Sequence, residues 1–512
     1  MNYFKTLLVV ILLSTASKVT AQVTLPNFFS DHMVLQRNHK NPIWGNADKN
    51  EKITVSINGQ EHTTKANKNG YWKVILNSMK AGGPYNLLVK GKNTVEIKDI
   101  LIGEVWLCSG QSNMGWKVAG TTFADLEIAS AKYPKIRFLK VPLVGNLDKQ
   151  DNFDASWEVC TPETVGTFSA NGYFFGRKLH QTLGVPIGLI NVAWGASAIE
   201  TWIPRDAMDA SGEYTEMLAQ WDEKMANYTQ ATFDKETKAY KSWEKGGKKG
   251  KRLNPARDHR IGQNTPANGF NGLVNPIVGY GIKGAIWCQG ETNLGRAYQY
   301  RTLFPLLINT WRKLWNQGDF PFYWVQVAGL KEKTLEIGKG NMWAEMREAQ
   351  SMTLSLPNTG EAIVYDLSES NNIHFKDKQT SANRLVLHAL NNDYGVKLKA
   401  KSPSYQSMKV EGNKITITFK DVAQSLYAFD ENTVKGFMIS GKDQKFVWAK
   451  ANIIGKNKVV VFADEISKPI AVRFAWSNNP YANLYDKANL PVTAFRTDNW
   501  PTITLHNKKA NR

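Results

Sequence analysis

Cysteine is scarce in this 512-residue chain, which has only three: Cys108, Cys160 and Cys288. Three thiols cannot build a disulfide framework for a protein of this length. Cys108 and Cys288 close apolar runs and Cys160 stands alone in "WEVCTPE", so all three read as buried free thiols. There is no CxxC pair and no HExxH, and nothing therefore points to a built-in zinc site. Long hydrophobic runs are missing as well. "LLVVILL", Leu7 to Leu13, is too short to span a bilayer, and no later segment does better. With Lys5 before it and Val19-Thr20-Ala21 after it, the run reads as a signal peptide over residues 1–21. The expected mature protein begins near Gln22 and is exported, periplasmic or secreted, with no membrane span. No cysteine follows the run to carry a lipid.

Acidic residues are outnumbered, 45 against 64 basic ones, for a net charge of +19. A basic balance suits nucleic acid or an anionic surface. Here the lysines are dispersed. The one dense run, "KGGKKGKR" (Lys245 to Arg252), reads as a solvated loop with no nucleic-acid motif beside it. No nucleic-acid partner is expected.

What is present is a change of grammar along the chain. Residues 22–100 carry short alternating strands such as "KITVSING" and "GYWKVIL" between Asn/Gly/Lys turns, the pattern of a small β-sandwich. From 101 to 400, apolar strands alternate with helix-period segments such as "FGRKLHQTL" and "SANRLVLHALNNDYG", which predicts a parallel α/β sheet. A polar, Lys- and Glu-rich helical stretch over about 208–262 reads as an insertion in it. Strands return in 401–512 ("KITITFK", "KVVVFA", "IAVRFAW") as a second β-rich domain.

Ligands of open α/β sheets bind at the carboxyl ends of the strands. Four strand ends deliver small or polar groups. "EVWLC" leads into Ser109-Gly110-Gln111-Ser112-Asn113, and "GLINVAW" into Gly195-Ala196-Ser197. "KGAIWC" leads into Gln289-Gly290-Glu291-Thr292-Asn293, and "EAIVY" into Asp366 and, further on, His374. Acyl transfer needs a nucleophile, a base and oxyanion donors. Ser112, His374, the Gly195 N–H and a Gln289 or Asn293 side chain are the candidates. Met114 occupies the second glycine position of a G-x-S-x-G elbow, which argues against an α/β-hydrolase.

"GQSNM", "NVAWGAS", "WCQGETN" and "NNIHFKDKQTSANRL" resemble the sequence blocks of SGNH-superfamily hydrolases, above all the sialate O-acetylesterase and acetylxylan esterase branch. "PETVGTFSANGYFFGRKLH" and the early "FSDHMVLQR" agree. The resemblance implies a flavodoxin-like three-layer α/β fold and a serine esterase acting on acetylated carbohydrate. It implies no metal and no cofactor. Ser112 would be nucleophile and first oxyanion donor, Gly195 the second donor, the Gln289–Asn293 block the third, and His374 the base.

The chain departs from the family pattern twice. Gly195-Ala196 stands where many relatives have Gly-Gly. Asn371 stands where an aspartate often precedes the histidine by three residues, and an amide cannot stabilise an imidazolium as a carboxylate does. The acid is then Asp366 or Glu369, or it is absent and a dyad works with its imidazole oriented by a backbone carbonyl. Glu291 reads as a brace for the oxyanion loop and Asn113 as a brace for the serine turn. Trp116, Trp202, Tyr298 and Tyr300 follow motif loops, where core packing is the commoner role and sugar stacking the alternative. The favoured substrates are O-acetylated sialic acids, with acetylated xylan or pectin as the rival. A non-catalytic carbohydrate-binding protein is the rival from another class.

Overall fold

The computed structural model describes residues 22–333, 337 and 340–509; the expected signal peptide lies outside them. The central feature is one long strand, β1 (Thr94–Gly110), that belongs to two sheets. Its first half pairs antiparallel with Gly82–Lys90 in an N-terminal β-layer, alongside Lys52–Ile57 and Gln60–Lys65. Its second half is the middle of a larger sheet containing β2 (Tyr133–Lys140), β3 (Trp157–Cys160), β4 (Ile187–Ala193), β5 (Gly284–Cys288), β6 (Phe322–Val325) and β7 (Thr359–Ala362). The order is β7-β6-β5-β1-β4-β2-β3, parallel throughout except for the antiparallel edge strand β3.

The second half of β1 is apolar without a break because it is covered on both faces. Trp106 and Cys108 face a core shared with Tyr173, Phe175 and Leu385. Val105 and Leu107, one residue out of phase, face a second core with Leu303, Phe304 and Trp311. Helices α2 (Ala170–Leu183) and α5 (Lys378–Asp393) supply the first layer, and α3 (Ala297–Trp315) and α4 (Met342–Met352) the second; α1 (Ser112–Gly115) is a single turn following β1. Ser169 caps α2 by accepting from the Gly172 N–H, and Asp377 caps α5 by accepting from Thr380. Cys108, Cys160 and Cys288 are free and buried.

The stretch expected as an insertion forms helices Arg205–Ser211, Thr215–Ala226 and Gln230–Lys245. Met217, Leu218 and Trp221 bury its inner side, whereas the last helix has no buried residue. The C-terminal region forms two four-stranded sheets around Ile415, Ile417, Phe437, Val459 and Val472. No described helix is long and apolar enough to cross a membrane.

Strand β7 carries a buried carboxyl group, Glu361. Glu361 accepts hydrogen bonds from Ser351 (2.9 Å) and Gln326 (3.2 Å). Burial pushes its pKa up from 4.5 to about 7. Between those values the unfolded chain is ionised and the folded chain is protonated, so stability falls as pH rises. Glu361→Gln should therefore stabilise the protein by roughly 3 kcal/mol at pH 8, an advantage that disappears near pH 4. Denaturant titrations at the two pH values check this, and an equal effect at both would contradict it.

Candidate active site

Three strands end in register. Gly110 of β1 lies opposite Ala193 of β4 on one side and Cys288 of β5 on the other. The Trp194 N–H donates to Gly110 O and the Gln111 N–H to Cys288 O, so the loops leave the sheet side by side. Only glycine fits at 110. Its φ is +129°, and a Cβ there would stand 2.1 Å from the Cys288 carbonyl oxygen. The chain turns sharply and delivers Ser112 to the start of α1.

Across the gap, a Cβ built on Gly195 would lie 3.7 Å from that of Ser112. Among the described residues the N–H groups of Ser112, Gly195 and Ala196 donate to nothing. Backbone donors without partners beside a hydroxyl are what a tetrahedral oxyanion needs. Ala196 sits at φ +56°, in the left-handed region that favours glycine.

The Ser112 turn is clamped by Glu291. Its two carboxylate oxygens accept from the side-chain amides of Gln111 (2.5 Å) and Asn113 (2.6 Å), the residues on either side of Ser112. Burial raises the Glu291 pKa, opposed by its own backbone N–H, by Asn113, by Lys378 and by Gln111. The Asn113 amide also donates to Ile373 O (3.2 Å), and the Asn113 carbonyl accepts from Asn171 (3.0 Å). One side chain thus joins the serine turn, the Glu291 loop and the histidine loop.

His374 arrives from the loop after β7, which crosses the ends of β6 and β5. Its backbone is gripped by Asn372, which accepts from the His374 N–H (2.9 Å) and donates to the His374 carbonyl (2.7 Å). Its imidazole stacks on Trp116, with ring centroids 4.8 Å apart and planes 20° apart. The Ser112 hydroxyl and the His374 ring make no hydrogen bond to one another or to any other described residue. Such contacts are often loose before substrate binds. Burial lowers the His374 pKa, and the charge of Lys378 lowers it further.

Lys378, in the first turn of α5, is itself buried. Its ammonium donates to Asn113 Oδ1 (2.6 Å) and lies 3.5 Å from the Phe375 ring centroid. Burial brings its pKa down to about 7. Removing this charge should raise the pKa of His374, so the acid limb of kcat/KM in Lys378→Met is expected at higher pH than in the wild type. A pH–rate profile checks it; a limb that stays or moves down contradicts it.

Four further candidates make hydrogen bonds that the sequence does not announce. Gln289 does not offer its amide to the site, because its Nε2 already donates to Ser197 O (3.0 Å) and Asn293 Oδ1 (2.7 Å) and its Oε1 accepts from Tyr300. Asn293 is fully buried and gives its Nδ2 to Glu200 (2.9 Å), whose other oxygen pairs with Arg296. Both amides hold the loop rather than face a substrate. Asp366 is not beside the histidine: its carboxylate takes both guanidinium N–H groups of Arg384 (2.7 and 2.6 Å) and the Tyr485 hydroxyl (3.1 Å). Glu369 is spent on the Lys376 N–H (2.6 Å) and the Asn372 amide (3.3 Å). No described carboxylate or backbone carbonyl reaches the His374 ring. Tyr300 and Trp202 are core residues, and Tyr298 lies over Arg301.

The insertion reaches this site from outside. Gln263 donates to Gly195 O (3.3 Å) and Asn264 accepts from the Ala198 N–H (3.1 Å), so the segment closing the insertion holds the Gly195 loop. Composition and spacing carry no signal for that link.

Several known proteins are similar to this chain. Residues 102–234 match the family described as "Carbohydrate esterase, sialic acid-specific acetylesterase". The human sialate O-acetylesterase is 28% identical over 93% of this chain and 93% of its own. The mouse sialate O-acetylesterase is 27% identical over 89% of each. The carbohydrate acetylesterase XAC1771 of Xanthomonas citri is 34% identical, with a TM-score of 0.81 over 94% of this chain and all of that one. The chain belongs to the sialate O-acetylesterase-type carbohydrate esterases.

Proposed function

We propose that this carbohydrate O-acetylesterase is an exported serine hydrolase that acts on O-acetylated sialic acids through an acetyl-enzyme on Ser112. The single observation that carries the catalytic assignment is the register at Gly110. It sets Ser112 beside Gly195 with their N–H groups unspent, and Asn113 draws the His374 loop onto the same turn. The fold reading is a flavodoxin-like SGNH core: with β2 and the edge strand β3 set aside, the parallel order reduces to the 2-1-3-4-5 of that class, and Ser112 lies at its switch point. The sialic acid preference rests on the names of the mammalian relatives.

In this reading His374 takes the Ser112 proton as the oxygen attacks the acetyl carbonyl. The N–H groups of Ser112 and Gly195 receive the oxyanion. Collapse breaks the bond to the sugar oxygen, which leaves with the proton held on His374. Water then attacks the acetyl ester with His374 again as base, and acetate departs. Because the base works as the neutral imidazole, its lowered pKa keeps it competent below the ordinary histidine range.

Paired assays of acetate release from O-acetylated sialic acid and from acetylated xylan test the substrate. A kcat/KM at least tenfold higher on the sialic acid supports the reading. The reverse ratio assigns the enzyme to plant-wall polysaccharide instead.

A further inference from the structure

We infer that Trp116 is a positioning residue for His374, its indole face supplying part of what a triad carboxylate would supply elsewhere. This rests on the reading of His374 as the base. The imidazole is the group whose angle decides proton transfer, yet no described hydrogen bond fixes it. Asn372 fixes only the backbone to which it is attached. Among the described residues the ring stacks on the Trp116 face, 4.8 Å away and 20° from parallel. Trp116 is in turn immobilised, since its Nε1 donates to Gly120 O at 2.9 Å. A Cβ on Gly120 would come within 2.8 Å of the indole, so the loop backbone lies directly against it. The turn that presents the serine therefore also carries the surface that aims the base.

The stack also acts on charge. When the Ser112 proton moves to the ring, a neutral imidazole becomes an imidazolium, and a cation over an indole face is attracted by the ring quadrupole. The gain appears as the proton transfers, which is when catalysis needs it. It works against the other charges around the ring. Lys378 faces it from α5, Lys376 and Glu369 belong to its own loop, Lys117 adjoins Trp116, and Glu291 lies behind Asn113. Of the negative groups, Glu369 and Glu291 are already spent on amides, and Asp377 caps α5 by accepting from the Thr380 N–H. With an amide, Asn371, three residues before His374, the Trp116 indole is the group stacked against the ring that favours its charged form.

The test is the pH dependence of kcat/KM for the full chain on an aryl acetate, which offers no sugar for Trp116 to bind. Trp116→Leu should lower kcat about tenfold and move the acid limb to lower pH, because the imidazolium loses its partner. Trp116→Phe keeps an aromatic face and should stay within about threefold of wild type with the limb nearly in place. A limb unmoved or raised in Trp116→Leu overturns the inference, as does a phenylalanine variant as impaired as the leucine one at equal thermal stability. Ser112→Ala and His374→Ala run alongside. Activity surviving in those two defeats the esterase assignment itself, whereas their loss beside a wild-type Trp116→Leu defeats only the role of the indole.

Discussion

Replacing Ser112 by alanine is expected to lower acetate release by roughly ten-thousand- to a million-fold, leaving KM for any residual turnover little changed. In this assignment the Ser112 hydroxyl carries the acyl group, and without it the oxyanion donors and substrate binding remain. His374→Ala should fall into the same range, and the double variant should be no worse than the worse single one, since the two act as a unit. Neither side chain makes a hydrogen bond in the structure, so both variants should melt within a few degrees of the wild type. Initial rates on O-acetylated sialic acid, with melting curves as a fold control, check this. Activity within a hundredfold of wild type in either variant would be incompatible with the assignment.

The second large effect is expected one step behind Ser112. Glu291 accepts from the amides on both sides of Ser112, so one carboxylate sets the angle of the turn. Glutamine is nearly the same shape but can accept at only one of its two ends. The other end becomes an NH2 facing an NH2, and the turn must open. A displacement of about 1 Å at a reacting atom costs on the order of a hundredfold. Glu291→Gln should accordingly lose roughly a hundred- to a thousandfold in kcat with a small change in KM. A loss below tenfold would show that the turn holds its shape without the carboxylate.

Much of the centre is legible in the sequence because its parts are local. A strand that is apolar on both faces ends abruptly at Gly110, and the same happens after Ala193 and Cys288. Neighbouring parallel strands place those endings side by side. The positions of Ser112 and Gly195 follow from that alone. The errors concern side-chain direction. Gln289 and Asn293 look like donors aimed at a substrate until Ser197, Glu200 and Tyr300, from a separate loop and from α3, are seen to occupy them. Asp366 looks like a triad acid until Arg384, eighteen residues later on α5, and Tyr485 of the C-terminal region claim both its oxygens. Lys378 carries no visible signal, since a lysine in the first turn of a helix is usually solvated. Its burial is decided by Phe375 and by Asn113, which is adjacent in space but 265 residues earlier in the chain.

The N-terminal region shows the same limit. Alternation predicts its strands, yet nothing in the pattern says that Thr94–Gly110 is one continuous strand shared between the β-layer and the catalytic sheet. That continuity gives the serine a rigid support: the last residues before the turn are fixed by β4 and β5 on either side, and the first are fixed by Gly82–Lys90.

The most direct test of the central claim is to stop the reaction with acid during its first turnovers on an activated acetyl ester and to map the protein by peptide mass. The account predicts an acetyl ester on the peptide containing Ser112, gained in the wild type and absent from Ser112→Ala. An acetyl group on a different residue, or turnover that proceeds undiminished when Ser112 is gone, would contradict it.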